Sequence, residues 1–302
     1  MKTMKIKLVI TLLTGLVTGL SAGHAQDYPK TRAEAVKLVQ GLKYQQGEIK
    51  IRDGLATLNV PTNFNYLNQN DAETVLVKLW HNPPSTKTLG LLMPADKTPL
   101  DEDCWVVTIS YADDGYVKDD DASKINYDKL LKEMQEATRE NNKNRTAKGY
   151  PAIALVGWAA PPRYDAATHK LYWAKELKFG HQGDNTLNYD IRMLGRRGVL
   201  VLDAVASMNQ LGEIEKQTPQ ILSMVDFNGG SRYADFDPKV DKVATYGIAA
   251  LVAGGIAAKL GFFKLIWVFL LAAKKFIVIA FVAVAAWLRK IFGKRKSDGP
   301  TV

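Results

Sequence analysis

Residues 187–206 read LNYDIRMLGRRGVLVLDAVA, in which an alternating run and an apolar run interrupted by Asp203 lie on either side of a glycine-bounded turn at 195–198. A short turn of this kind joins antiparallel strands and fixes which residues face each other. Pairing that is symmetric about the turn keeps one face of both strands apolar throughout, which supports this register. On the other face it places Asp190 directly opposite Asp203.

Two carboxylates in direct cross-strand positions repel each other, so this pairing needs an explanation. Arg192 lies on the same face as Asp190 and can lean diagonally to neutralise Asp203. Alternatively, the strands are bulged or slipped and the carboxylates do not meet. In a third alternative the two carboxylates share a proton or a cation and form a working site, with one raised pKa as its signature.

A second hairpin is predicted at 49–60, where Asp53-Gly54 is typical of a tight turn between strands. A two-residue turn here pairs Ile51 with Ala56 and leaves one face apolar and the other wet. Further runs with strand character lie at 105–111, 153–158 and 171–179.

Helices are predicted where a capping residue precedes apolar positions at helical spacing. Four such segments begin at Thr31, at Asn70, at Asn126 and at Thr218-Pro219, the last being a short helix to Val225. Because helices and strands do not alternate regularly, the sequence predicts an α+β fold with a mainly antiparallel sheet and packed helices. The acidic stretch 112–123 is interpreted as a solvated loop and 226–242 as a tether.

Both ends of the chain carry targeting signals. Residues 1–25 have a lysine-rich start, an apolar run too short to span a bilayer, and small residues before a cleavage point, as in a signal peptide. Residues 26–242 are then expected to form an exported α+β domain. A C-terminal transmembrane or membrane-associated helical tail is expected at 243–291, followed by a basic cytoplasmic tail at 292–302.

The tail contains two apolar segments. Segment 246–263 has one lysine near its inner end and is the better span, whereas 265–288 has Lys274 and Lys275 at its centre. A single span leaves the second segment at the membrane interface, and a two-helix hairpin is the alternative. Small residues at every fourth position favour self-association through the tail. They are Ala250, Gly254 and Ala258.

The net charge of +9 does not indicate nucleic-acid binding once it is placed along the chain. The basic excess lies in the two ends, and residues 26–242 are slightly acidic, with 30 Asp and Glu against 28 Lys and Arg. Cations at the ends of an exported, anchored chain face lipid headgroups. The expected partners are therefore membrane lipid, through the C-terminal tail, and an envelope protein, not nucleic acid.

Candidate functional side chains concentrate in two places. In the segment 158–173, aromatic and charged residues at a sheet end can line a ligand pocket. The alternative is a hairpin stiffened by two prolines, with Asp165 bonding turn amides. The second place is the Asp190 and Asp203 pair. The candidate residues are Trp158, Arg163, Tyr164, Asp165, His169, Trp173, Asp190, Arg192 and Asp203. The sequence has neither metal-ligand spacing nor a phosphate-binding loop, so no metal or cofactor is expected.

Three blocks of residues are distinctive. They are Gly157-Trp158 with Pro161-Pro162 and His169-Lys170-Leu171-Tyr172-Trp173-Ala174; Leu187-Asn188-Tyr189 with Leu194-Gly195-Arg196-Arg197-Gly198; and Tyr233-Ala234-Asp235-Phe236 before Tyr246-Gly247. Together these blocks resemble a bacterial family of membrane-anchored proteins classed as a domain of unknown function. The resemblance covers most of the chain after residue 28. It implies an envelope protein with a C-terminal membrane anchor, and it implies no catalytic residues.

These observations favour a membrane-anchored cell-envelope protein whose main domain lies on the periplasmic or extracellular side. The leading hypothesis is a non-enzymatic module that binds an envelope or cell-wall partner. One alternative is an envelope enzyme that uses carboxylates with His169. The other is a subunit of a membrane complex, such as a channel or transporter accessory, assembled through the lysine-bearing tail.

Overall fold

The computed structural model describes residues 28–82, 84–85, 87–180 and 184–254. The predicted signal peptide and the tail beyond residue 254 lie outside these residues. The α-helices are α1 (Arg32–Gln40), α2 (Gln69–Glu73, continued by a π-helix Thr74–Leu79), α3 (Tyr127–Ala147), α4 (Leu211–Met224) and α5 (Ile248–Val252). The strands are β1 (Gly47–Ile51), β2 (Ala56–Val60), β3 (Phe64–Asn68), β4 (Thr88–Pro94), β5 (Val106–Ala112), β6 (Ile153–Asp165), β7 (Lys170–Phe179), β8 (Thr186–Leu194), β9 (Val199–Ser207) and β10 (Val225–Phe227).

Seven strands form the main sheet in the order β3-β4-β5-β9-β8-β7-β6, and each neighbouring pair is antiparallel. A smaller antiparallel sheet has the order β1-β2-β10. The α+β class with antiparallel sheets and packed helices is therefore confirmed. Within the described ranges, none of the helices is long and apolar enough to cross a membrane.

The two faces of the main sheet are covered differently. One face packs against α4 and the small sheet in a single apolar cluster that includes Ile191 and Leu202. The opposite face carries two separate apolar clusters. One lies under α3 and α5 around Trp173, and the other lies under α1 and α2 around Leu91. Each large apolar side chain buried in this way stabilises the fold by about 1.5–3 kcal/mol.

The predicted hairpin registers are confirmed. Ile51 faces Ala56 across the first turn, and Ile191 faces Leu202 across the turn of the 187–206 hairpin. Helix α1 begins as expected, since Thr31 Oγ1 accepts a hydrogen bond from the Glu34 amide at 3.2 Å. Helix α3 begins at the predicted cap, where Asn126 Oδ1 accepts from the Lys129 amide at 2.9 Å. Asn68, not Asn70, caps α2.

The prediction that Thr218 and Pro219 begin a short helix is wrong. Helix α4 already begins at Leu211, and Pro219 lies inside it. The Thr218 hydroxyl donates to the Ile214 carbonyl at 2.7 Å instead of capping an N-terminus. A proline inside a helix removes one backbone hydrogen bond, but Ile214 and Ile221 are fully buried against the main sheet and hold the helix there.

Residues 113–121 form a loop, as interpreted for 112–123, but this loop is only partly solvated, and the interpretation of 226–242 as a tether is wrong. Asp121 of the acidic stretch accepts hydrogen bonds from the Ile248 amide at 3.0 Å and the Ala249 amide at 3.3 Å, and so caps α5. The stretch 226–242 includes part of β10 and a 3-10 turn, Tyr233–Asp235. Both stretches are folded because their carboxylates find amide and arginine partners within the domain.

The first predicted span, 246–263, does not begin as a lipid-exposed helix. Its first described turn is α5, whose Ile248 and Val252 are almost fully buried in the apolar cluster around Trp173. Helix α5 ends at Val252, and Gly254 has a positive φ of 82°. The small-residue pattern requires Ala250 and Gly254 to lie on one continuous helix, and the end of α5 at Val252 rules this out. Residues 255–288 of the predicted tail lie outside the described residues.

Candidate functional site

The hairpin of β8 and β9 places Asp190 directly opposite Asp203, as predicted. Arg192 resolves the repulsion by joining the two carboxylates. Its Nη1 donates to Asp203 Oδ1 at 2.6 Å and its Nη2 donates to Asp190 Oδ1 at 3.1 Å. The strands pair without a register shift, so the bulged or slipped alternative is wrong here.

A second cation from the neighbouring strand completes a buried charge network, defined here as Lys175, Asp190, Arg192 and Asp203. Lys175 on β7 has its Nζ 2.9 Å from Asp190 Oδ2. Trp173, directly opposite Asp190, lies under both cations, with the Arg192 guanidinium 5.0 Å from its ring centre. Every member of the network is less than 10% exposed. Two carboxylates and two cations therefore balance each other in a low-dielectric layer.

The buried charge network shifts the ionisation of its members. Burial raises the pKa of Asp203 to about 6, an effect that neighbouring Asp190 increases and Arg192 opposes. The pKa of Arg192 is raised above its ordinary value because both carboxylates outweigh its own burial. A raised carboxyl pKa is the signature expected for a working carboxylate pair. Here each carboxylate also has a cation within 3.2 Å, which is the geometry of a structural ion pair.

Polar residues extend the network into a strip across β5, β9, β8 and β7. Thr108 on β5 faces Asp203, and Asn188 on β8 faces Lys175. The strip separates the two apolar clusters on this face of the sheet. Among the described residues, three buried polar atoms here have no hydrogen-bond partner, Trp173 Nε1, Asn188 Oδ1 and Asp190 Oδ2, the last of which lies 2.9 Å from Lys175 Nζ as an ion pair. The strip is thus fully enclosed but not fully paired.

The second candidate region forms a tyrosine–histidine cluster of Asp119, Tyr164, His169 and Tyr233. Tyr164 donates its hydroxyl to Asp119 Oδ2 at 2.6 Å, and Tyr233 donates to Asp119 Oδ1 at 3.2 Å. His169 Nδ1 lies 3.2 Å from the Tyr164 hydroxyl and 3.5 Å from Asp119 Oδ2. One carboxylate from the acidic stretch therefore binds the end of the β6–β7 hairpin.

His169 has a backbone conformation that residues other than glycine rarely adopt, with a φ of 53°. Its ring packs against Tyr233 at a tilt of 30°, with 4.0 Å between ring centres, and Tyr233 stacks in turn on Tyr116 at 4.4 Å. Burial raises the pKa of Tyr164 far above its usual range, and the hydrogen bond to Asp119 raises it further. The pKa of Tyr233 is likewise raised far above its usual range, first by burial. Both phenols are neutral at physiological pH and act as hydrogen-bond donors.

The remaining candidates from 158–173 do not join either group. Asp165 accepts hydrogen bonds from the Ala167 amide and the Thr168 hydroxyl, as the hairpin alternative predicts. Trp158 packs in the cluster under α3 and donates to the Tyr127 carbonyl at 3.4 Å. Arg163 is exposed. Of the nine candidates, three therefore belong to the buried charge network, Trp173 lies against it, two belong to the tyrosine–histidine cluster, and three are separate.

A groove of about 410 Å³ runs between α3 and the edge strand β6. Its lining combines amides and a hydroxyl with two cationic side chains. The lining side chains that matter here are Gln135, Thr138, Arg139, Asn142 and Lys178. Asn142 bonds both the amide and the carbonyl of Ile153 at 2.8 Å, and Gln135 donates to the carbonyls of Leu155 and Val156. Side chains of α3 thus form hydrogen bonds with the backbone groups on the open edge of β6.

Sequence reasoning missed three residues that complete these groups, Lys175, Asp119 and Tyr233. A lysine on the apolar face of β7 was a usable signal, because an unpaired cation is rarely buried. Asp119 and Tyr233 lie far from His169 in sequence, so only the fold brings them together. In the described part of the chain, no group of three or more His, Cys, Asp or Glu side chains is arranged to hold a metal ion.

The fold and its candidate site define an α+β domain of three layers. The candidate carboxylates in it are paired with cations, hydroxyls or turn amides. The chain belongs to the family described as Protein of unknown function (DUF2167), whose family model matches residues 43–285. Among curated proteins, none matches the chain by sequence.

Several solved structures are similar to the chain at low sequence identity and low TM-score. CyanoP, the PsbP of the cyanobacterium Synechocystis sp. PCC 6803, has 8% identity, covers 62% of this chain and 94% of its own, and has a TM-score of 0.35. The Ran-binding protein Mog1p of Saccharomyces cerevisiae has 10% identity, 65% and 100% coverage, and a TM-score of 0.35. LpqN of Mycobacterium tuberculosis, described as involved in cell envelope biogenesis, has 15% identity, 66% and 97% coverage, and a TM-score of 0.31.

Proposed function

We propose that this protein is a cell-envelope binding module: an exported α+β domain, held to the membrane by its C-terminal tail, that binds another envelope component. The main support for the proposal is that the candidate reactive side chains are already engaged in hydrogen bonds within the domain. Asp119 already accepts two phenolic hydroxyls, and Asp203 already accepts the Arg192 guanidinium. Side chains so engaged stabilise a scaffold, whereas a catalytic acid or base must reach the substrate.

The groove between α3 and β6 is the proposed binding surface. Arg139 and Lys178 give it a cationic rim. Gln135, Thr138 and Asn142 also line it, but their side-chain donors are already bonded to backbone carbonyls, so the two cations are the proposed ligand contacts. Such a lining fits an acidic, extended ligand, for example a peptide or glycan that carries carboxylates. The ligand would contact side chains, because Gln135 and Asn142 already bond the outward backbone groups of the edge strand.

Because α5 packs in the domain, it limits the number of residues that remain for the membrane anchor. With residues up to 254 in the domain, 34 residues (255–288) remain before the basic tail. One span needs about 20 residues of helix and two need about 40. This length favours a single span over a hairpin, with the basic residues 289–296 in the cytoplasm.

Site-specific photo-crosslinking in intact cells tests the binding surface. The full-length chain would carry p-benzoylphenylalanine at Arg139 in the groove, or at exposed Lys50 on β1 as the matched control. The proposal expects a crosslinked species with Arg139 and none with Lys50, and Lys178→Glu should reduce it. Crosslinking of equal yield at both positions, or none at Arg139, would contradict the groove as the binding surface.

A further inference from the structure

The stretch 237–243, just before α5, has an unusual distribution of charge. Asp241 is turned inward, and its carboxylate accepts hydrogen bonds from Arg196 at 2.6 Å and Arg197 at 2.8 Å. The Asp237 amide donates to the same carboxylate at 2.8 Å. These bonds, with that of Arg196 first, hold the pKa of Asp241 well below its usual range, so it stays ionised and paired.

The neighbours of Asp241 point the other way. Val240 is 69% exposed and Val243 is 39% exposed, and they are two of the large apolar side chains that the described domain leaves most open to solvent. Lys239, which precedes Val240, and Lys242, which precedes Val243, are also exposed. With its acid turned inward, this stretch therefore presents alternating cations and apolar side chains outward.

Backbone hydrogen bonds fix this presentation. Val243 forms a parallel bridge with Tyr116, in which the Tyr116 amide donates to the Lys242 carbonyl and the Ala244 amide donates to the Tyr116 carbonyl, both at 2.8 Å. A Cβ on Gly115 would lie 2.6 Å from the Lys242 carbonyl oxygen, so the glycine permits this close approach. The outward face is consequently a built surface of the domain.

We propose that Lys239, Val240, Lys242 and Val243 form a contact with anionic lipid headgroups, so that the domain rests on the bilayer surface beside its anchor. The proposal depends on the membrane anchoring proposed above. Lysines attract anionic lipid at about 1 kcal/mol each near the surface, and exposed apolar side chains between them enter the headgroup boundary. Residues 244–254, which include α5, separate this patch in sequence from the segment 255–288 proposed as the span, which places lipid within reach.

An environment-sensitive fluorophore on the full-length chain tests the contact. Val240→Cys would carry the label, with Val156→Cys, 46% exposed on the edge strand β6, as the matched control. The native cysteine, Cys104, is buried and gives the background in the parent chain. Both labelled proteins would be placed in nanodiscs of phosphatidylglycerol or of phosphatidylcholine, with a lipid-borne quencher, and in detergent.

The proposal expects a blue shift and quenching at position 240 in phosphatidylglycerol, little change in phosphatidylcholine, and none at position 156. Lys239→Glu with Lys242→Glu should remove the quenching while the protein still co-floats with lipid. If the protein floats with lipid but the label at position 240 is as exposed to water as the label at position 156, the lipid contact is overturned and the anchoring is not. A blue shift that is equal in detergent would show that anionic lipid is not required for the burial of position 240, and it would overturn the proposal too. Failure of the parent chain to float with any lipid would contradict the anchoring and the contact together.

Discussion

Arg192 donates to Asp203 and to Asp190 at once, so a single guanidinium holds together two carboxylates that face each other across β8 and β9. The strand register is fixed by the turn and by the apolar opposite face. The like charges are therefore a consequence of the hairpin, and Arg192 is what makes that hairpin tolerable. Removing one partner of such a buried network costs far more than the intact network contributes.

Arg192→Met should destabilise the domain by roughly 3–5 kcal/mol at pH 8, because it leaves two buried carboxylates with Lys175 alone. Urea unfolding followed by tryptophan fluorescence measures the loss. Exposed Arg163→Met is the matched control and should change the free energy of unfolding by less than about 0.5 kcal/mol.

The loss in Arg192→Met should shrink on acidification. Without Arg192, which opposes the rise in the Asp203 pKa, the folded variant takes up a proton at a pH where the unfolded chain stays ionised. Binding more protons in the folded state raises stability as the pH falls. A loss of equal size at pH 8 and at pH 5 would contradict this account.

Asp203→Asn should alter the pH dependence of the native domain. Burial raises the folded pKa of Asp203 to about 6, above its ordinary value of 3.8. The folded form therefore binds more protons than the unfolded form between these values, and this residue makes stability fall as the pH rises from about 4 to about 6. The difference in unfolding free energy, parent minus variant, should decline over that window. A flat difference would show that Asp203 is ionised throughout.

Gly247→Ala should loosen the start of α5. A Cβ at this position would lie 2.7 Å from the Asp121 carboxylate oxygens, which bond the Ile248 and Ala249 amides. We expect a loss of about 1–3 kcal/mol and faster hydrogen exchange in 248–252. Gly212→Ala in α4, where a Cβ meets nothing within 4 Å, is the control and should stabilise slightly.

His169→Asn separates the binding module from the alternative of an envelope enzyme. Asparagine tolerates the positive φ of this position, but it cannot replace the ring contact that His169 makes with Tyr233. We expect a stability loss of about 1 kcal/mol and unchanged crosslinking from position 139. Normal stability together with a complete loss of cellular function would instead support a chemical role for His169.

Local patterns were enough to predict the hairpins and to give the contact between Arg192 and Asp203 as one of three alternatives. Alternating polarity and turn residues specify a register, and a register dictates which side chains meet. The same local reasoning placed a helix start at Thr218, because Thr-Pro is a common helix opening. Burial of Ile214 and Ile221 overrides that local signal and carries the helix through the proline.

Long-range contacts account for what the sequence did not predict. Asp119, Asp121 and Asp241 look like solvated acids until the fold brings up their partners from distant segments. Similarly, α5 reads as the beginning of a membrane span because its apolar residues suit a protein core and a bilayer equally. Only its packing around Trp173 distinguishes the two.

The most direct test of the account is the topology of the full-length chain in the membrane. Asn144→Cys, exposed on α3, reports on the domain, and Ser297→Cys reports on the basic tail. Each variant would be treated with a membrane-impermeant maleimide in intact spheroplasts and again after permeabilisation. An exported domain on a single span predicts labelling of position 144 in intact spheroplasts and of position 297 only after permeabilisation. Labelling of both positions in intact spheroplasts would establish a hairpin, and labelling of neither would contradict export.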